Sequence, residues 1–191
     1  MSPLTIHPLT PRRWPDLERL FGPNGAWGGC WCMFLRLASK DFEAGCRGGG
    51  ASNRQAFRGI VRRGGEPGLI AYRGEEPVGW VAVAPREEYG RILRSPIHKP
   101  VDEAADVYCV SCFFVASGER GRGVADALLA EAARFARKKG ARLLEAYPND
   151  TGEARKPADQ VWRGTLAQFE KAGYRVIARR RPARPIVRLT L

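Results

Sequence analysis

The chain has 191 residues, which is enough for one domain with a proper core, and its 44% apolar content and five tryptophans exclude a disordered polymer. No run approaches the roughly eighteen apolar residues of a membrane span, and the N-terminus MSPLTIHPLTPRRW lacks the basic–apolar–cleavage pattern of a secretion signal, so a soluble cytoplasmic protein is expected. A formal charge of +12 either keeps an arginine-rich protein in solution or answers an anionic partner: nucleic acid, an anionic membrane surface or an anionic cofactor.

Leu4–Leu9 (LTIHPL) reads as a first strand, and Arg12–Phe21 as a short helix with Leu17, Leu20 and Phe21 on one side. Gly22–Ala51 reads as a long irregular segment, glycine-rich at Gly45, Gly48, Gly49 and Gly50 and interrupted by the apolar cluster AWGGCWCMFL. A loop of that length in a small domain is usually functional or mobile. Ser52 followed by Gln55 is a capping-box signal that opens a helix running to about Arg63. Gly68–Pro85 holds two β-rich runs around Arg73–Pro77, which predicts a hairpin. After a polar stretch, Val107–Val115 (VYCVSCFFV) predicts a strand buried on both faces. A helix then runs to Lys139 with Gly140 as its stop, followed by a strand over Arg142–Tyr147, a loop over Pro148–Gln160 and a helix over Val161–Gly173. YRVIARR and PIVRLTL close the chain as strands. No repeat or linker interrupts it, so one domain is expected over 1–191.

The strand VYCVSCFFV, a turn rich in glycine and arginine, and a helix follow one another in the stretch GERGRGVADALL, Gly118–Leu129. The first N–H groups of a helix have no intrahelical partners and carry the positive end of its dipole, so an anion placed there accepts their hydrogen bonds. Glycine lets the backbone approach closely and adopt left-handed conformations. Arg120 and Arg122 add charge at the same point, and Val124, Ala125, Leu128, Leu129, Ala132 and Ala136 form the stripe that anchors the helix. The pattern predicts a phosphate site. A nucleotide P-loop would need a Gly-Lys-Ser/Thr ending, and a dinucleotide fingerprint would need a glycine where Asp126 stands.

Arg120-Gly121-Arg122-Gly123-Val124-Ala125 resembles the pyrophosphate loop of the GNAT superfamily of acyl-CoA-dependent N-acyltransferases. Gly79 in PVGW, the FFV before the loop and the terminal FEKAGY (Phe169–Tyr174) strengthen the resemblance, which covers Gly68–Leu191. It implies an α/β fold with a mixed, mostly antiparallel sheet splayed at its centre and helices on both faces. It implies acetyl-CoA as co-substrate, no metal, and direct transfer to a primary amine of a small molecule in a ternary complex. Backbone groups of Phe114 and Val115 would pair with the pantetheine arm, and the N–H groups from Arg122 to Asp126 would hold the pyrophosphate. The Gly22–Ala51 segment would build the acceptor side, with Trp27, Trp31 and Met33 as candidate lining. Alternatives are an acceptor that is an aminoacyl-tRNA or a protein N-terminus, and a non-catalytic acyl-CoA sensor. The chain leaves open whether it forms a homodimer.

The family's usual helpers are missing from their positions: the general-base positions fall on Cys109 and Ser111, and the tyrosine of the last helix is Phe169. Glu145, on the facing strand, and Tyr147 are the catalytic candidates, with Tyr108 and Asp106 behind them. Cys109-Val110-Ser111-Cys112 has redox spacing, but residues three apart on a regular strand point to opposite faces. Cys30, Cys32 and Cys46 with His7 or His98 fit no zinc pattern. The five cysteines, an odd number without a framework, suit a reducing compartment. Arg179, Arg180, Arg181, Arg184 and Arg188 suggest a stripe for nucleic acid.

Overall fold

The computed structural model describes residues 2–152, 156, 157 and 160–191. Seven strands form one sheet: β1 (Leu4–Pro8), β2 (Gly68–Arg73), β3 (Glu76–Pro85), β4 (Val107–Val115), β5 (Leu143–Ala146), β6 (Arg175–Ala178) and β7 (Ile186–Thr190). They lie in the order β1-β2-β3-β4-β5-β7-β6, and every neighbouring pair is antiparallel except β4–β5. A parallel pair needs a long crossover, which α4 (Val124–Lys138) supplies.

The two parallel strands stay together only from Val107/Leu143 to Val110/Ala146, although β4 continues to Val115. Beyond Ala146 the chain turns away, and Asn149 bridges to Thr165. The sheet therefore splays at its centre, as the resemblance implies.

Helices cover both faces. On one, Val124, Leu128, Leu129 and Ala132 of α4 and Phe169 of α5 (Leu166–Lys171) pack on Val81, Val110 and Val187. On the other, Trp14, Leu17 and Phe21 of α1 (Trp14–Phe21) and Phe57 and Val61 of α2 (Ser39–Arg62) surround Ile70, Trp80 and Ala82. A smaller cluster joins Ile92 of α3 (Gly90–Arg94), in the stretch read as polar connection, to Leu35, Tyr89, Cys109 and Tyr147.

Two further elements differ from the sequence reading. Part of the expected irregular segment is helical: α2 begins at Ser39 and is broken at Arg47–Gly50, where three glycines take positive φ. The last helix begins at Leu166 rather than Val161, with the Thr165 side chain accepting from the Gln168 amide at 3.3 Å. The backbone before it is spent elsewhere. Trp162 O accepts from Phe113 N (2.6 Å), and Gly164 O accepts from Asn149 N (3.0 Å). A segment whose carbonyls pair with the sheet's strands cannot also close helical turns.

Candidate functional site

The β4–α4 connection has the form an anion requires. Arg120 is extended, Gly121 and Gly123 have φ of +74° and +77°, and Gly123 caps α4 without any side-chain hydrogen bond to the helix. The start of α4 thus has no side-chain cap from Gly123, and nothing stands within 4 Å of where a Cβ would sit on either glycine. A third glycine fixes the helix. A Cβ on Gly79 of β3 would lie 2.7 Å from Val124 Cγ1, so only glycine lets the start of α4 approach the sheet so closely.

The charged residues of the loop brace it. Arg120 Nε donates to Val115 O (3.0 Å), Arg73 pairs with Glu119 (2.6 Å), and Arg122 lies 3.6 Å from the same carboxylate. The Asp126 carboxylate turns to α5, accepting from Gln168 Nε2 (3.0 Å) and lying 3.7 Å from Lys171. The residues present therefore fit a pyrophosphate through backbone amides and open space, with the side chains shaping the loop around them.

A cleft of about 880 Å³ leads away from this loop. Gly121, Gly123, Val124, Ala125 and Asp126 line one end, Phe113, Phe114 and Val115 the middle, and Phe34, Phe42 and Trp162 the far end. Phe34 meets Phe42 and Trp162 edge-on at 5.2 and 5.5 Å. Hydrogen-bonding groups alternate between the two edges of a strand. Phe113 N points to Trp162, so Phe113 and Val115 share the edge toward the splay, and Phe114 faces β3, opposite Trp80.

Of the three acceptor-side candidates, only Trp27 lines the cleft, and it is 71% exposed. Trp31 is 3% exposed, stacked on Trp14 at 6.0 Å and tilted against Phe21 at 5.6 Å; Met33 is in the same core. These two hold the segment to the sheet. A loop sequence does not tell which of its aromatics turns inward, and AWGGCWCMFL gives no period by which to choose.

Glu145 and Tyr147 are buried and absent from the cleft lining. Glu145 stands directly across from Arg188 of β7, from which it accepts at 2.6 Å; Arg86 approaches to 3.4 Å and Tyr147 Oη donates at 3.2 Å. This network ties β5 to β7 and to Arg86 in the turn after β3, an opposite-charge cross-strand pair with support from a third element. Burial pushes the Tyr147 hydroxyl well above its ordinary range. Tyr108 and Asp106 lie at the same paired end, where Tyr108 faces Leu144 and Asp106 O accepts from Arg142 N. Phe169 is in the core, edge-on to Tyr174 at 5.0 Å and Phe113 at 6.1 Å.

Cys109 is fully buried with its thiol 3.5 Å from Tyr147 Oη, and burial raises its pKa. The pairing of β3 and β4 slips here: Ala82 faces Cys112 and Val83 faces Val110, leaving Ser111 as an extra residue. A bulge restores the same face after three residues. Cys109 and Cys112 therefore share one side of the sheet, across from Ala84 and Ala82, and not opposite sides as a regular strand would have it.

The group that sequence reasoning passed over is Cys32. It lines the cleft, as do Cys30, Cys46 and Cys112. Trp80 Nε1 donates to its sulfur at 3.2 Å. Its pKa is lowered, first by a hydrogen bond from Cys112, then by that from Trp80 and by the charge of Arg36, against the opposing effect of burial. Both Trp31 and Cys32 have positive φ, 44° and 56°, conformations that side chains rarely adopt and that cluster at functional sites. The cysteine spacing in CWCM was the available signal. Among the described residues, no group of three or more His, Cys, Asp and Glu could hold a metal ion.

Three arginines of the stripe are engaged within the chain. Arg179 pairs with Asp150 (2.6 Å), Arg180 donates to Ile97 O and Pro100 O (3.3 and 3.2 Å), and Arg188 is held by Glu145 and Asp102. No helix among the described residues is long and apolar enough to cross a membrane.

A sheet that splays after a parallel pair, with an uncapped glycine-bounded helix start opening on the gap, defines the acyltransferase class whose loop the sequence resembles. The acetyltransferase (GNAT) family model matches residues 31–163, and the chain belongs to that family. No curated protein matches the sequence. Its fold resembles that of PaiA N-acetyltransferase from Thermoplasma acidophilum in complex with coenzyme A (TM-score 0.57, 13% identity, all of both chains). It also resembles ribosomal-protein-alanine N-acetyltransferase from Brucella melitensis (0.55, 19%, 98% of this chain and 99% of that). The GNAT domain of S. lividans PAT is similar too (0.54, 22%, 97% and 89%).

Proposed function

We propose that the protein moves an acetyl group from acetyl-CoA to a primary amine of a small molecule, directly and within a ternary complex. The observation that carries this reading is the cleft lined by the Gly121–Asp126 loop, by Phe113, Phe114 and Val115 of β4, and by the aromatic wall of Phe34, Phe42 and Trp162. Amides from Arg122 to Asp126 hold the pyrophosphate, and the edge of β4 at Val115 meets the pantetheine arm. That the Thermoplasma neighbour was solved in complex with coenzyme A supports an acyl-CoA as the donor.

The amine attacks the thioester carbonyl and coenzyme A departs as its thiol. Of the two protons the ammonium must lose, one goes with the departing sulfur. We assign the other to Cys32, which lines the cleft, whose sulfur already accepts from Trp80 and whose pKa is lowered from its ordinary value. Cys109 and Glu145 take no part: one is a buried thiol whose pKa is raised, the other is enclosed by two guanidinium groups.

The charge of +12 favours a second reading, an acceptor on tRNA or on a protein N-terminus. The aromatic wall of the cleft favours the small molecule. The test is purified protein with acetyl-CoA and a pool of primary amines, followed by mass spectrometry. An acetylated amine with matching coenzyme A release is the expected result. No product from any amine, with acetyl-CoA binding intact, would leave the sensor reading in its place, and salt-dependent tRNA binding would support the macromolecular one.

A further inference from the structure

Behind the aromatic wall stands a buried cation without a counter-charge. Arg163 is 9% exposed. Its guanidinium lies 4.5 Å over the Trp162 ring and 5.7 Å from that of Phe34, the two rings that close the far end of the cleft. One nitrogen contacts His98 Nε2 at 3.2 Å, while Nε has no partner. Among the described residues no carboxylate pairs with it. His98 cannot offset the charge: burial first, then Arg163, Arg184 and Arg180, push its pKa down to about 4, so the ring is neutral. Arg163 itself is pushed down to about 10, by burial first and then by Arg184.

Arg91 repeats the arrangement over the same Phe34 ring. Its guanidinium lies 4.2 Å over Phe34 and 5.5 Å from Phe42, Nε donates to Leu37 O at 3.1 Å, and Nη2 is buried without a partner. Glu43 acts on it only as a through-space charge. Arg36, nearby, differs because Glu88 pairs with it.

A buried unpaired cation is costly, and the cost falls away when an anion joins it. The planar fork of a guanidinium matches a carboxylate in two parallel hydrogen bonds. Neither arginine is itself in the cleft lining, but the rings that cover both are, so an anion reaches the guanidinium groups past the edges of Phe34 and Trp162 and leaves its apolar body against those rings on the cleft side.

We propose that the acceptor is an amine that also carries a carboxylate on an apolar or aromatic body, an amino-acid-like compound, and that Arg163, with Arg91 beside it, binds the carboxylate. This rests on the transferase reading above and narrows it to a substrate class. The acceptor's amine is then held away from the arginines, toward the donor's end of the cleft.

The test uses unreactive probes, so that it does not depend on turnover. Calorimetry compares 3-phenylpropionate with 3-phenylpropanamide, equal in shape and different in charge, on the protein saturated with coenzyme A. The acid is expected to bind at least about tenfold more tightly, the scale of a charge-assisted pair. Arg163→Gln removes that preference, Arg163→Lys keeps part of it, and Arg91→Gln weakens it. Removing an unpaired buried charge should leave the melting temperature of the ligand-free Arg163→Gln protein no lower than wild type. Equal binding of acid and amide by the wild type, or an equal loss of both in Arg163→Gln, would overturn the proposal. Coenzyme A binding, measured in the same titrations, separates the two readings: its absence overturns the transferase assignment itself, and its presence without acid preference overturns only the carboxylate site.

Discussion

Replacing Gly123 by valine tests the anion loop at the position where backbone conformation matters most. Gly123 has φ of +77° and ψ of 4°, and it precedes the first amide of α4. For an L-residue that conformation costs roughly 1–2 kcal/mol, the upper end applying to a β-branched side chain. No steric clash adds to this, because the space around the new Cβ is empty to 4 Å. The body of α4 is held independently by Leu128, Leu129 and Ala132. The loop therefore relieves the strain by leaving the left-handed conformation. A 1–2 kcal/mol bias against the competent conformer lowers apparent affinity by roughly fivefold to thirtyfold. If the loop keeps its shape instead, the valine occupies the open space beside the helix start, and binding falls by steric exclusion. Calorimetry with acetyl-CoA measures the effect. Gly118→Ala, at an ordinary φ and equally open, serves as control and should bind as wild type. Unchanged acetyl-CoA affinity in Gly123→Val would refute the reasoning.

Trp31→Ala should cost about 3–5 kcal/mol in denaturant unfolding without changing the acceptor's Michaelis constant, because Trp31 is core. Trp27→Ala should do the reverse, raising that constant and leaving stability alone. Stability should fall as pH drops from about 6.5 to about 4, since the unfolded chain protonates His98 while the folded one excludes the proton. His98→Asn should flatten that limb of a melting-temperature profile, and an unaltered slope would count against it. Cys32→Ser should lower kcat by ~10²–10⁴-fold with acetyl-CoA affinity unchanged. Cys109→Ala should keep more than about a tenth of turnover, as befits a buried thiol with a raised pKa.

What was legible in the sequence is what local chemistry dictates. Val107–Val115 reads as a strand to its last residue, because a β-branched and aromatic run ends at a turn, and the glycines at 121 and 123 announced their positive φ. Register was not legible. Glu145 looked like a free carboxylate on a facing strand until the sheet set Arg188 directly across from it. The one-residue bulge at Ser111, which brings Cys109 and Cys112 to the same face, has no sequence mark. The glycines around Cys46 concealed the helix that starts at Ser39, since each glycine argues for a loop and only tertiary packing overrides it. Cys32 acquires its surroundings from Trp80 and Cys112, 48 and 80 positions away in a chain whose fold alone joins them.

The central claim is that donor and acceptor meet in one cleft and react without an acyl-enzyme. Initial rates measured across a grid of acetyl-CoA and amine concentrations test it most directly. Double-reciprocal lines that intersect are the expected result. Parallel lines, the signature of a covalent intermediate formed before the amine arrives, would contradict it.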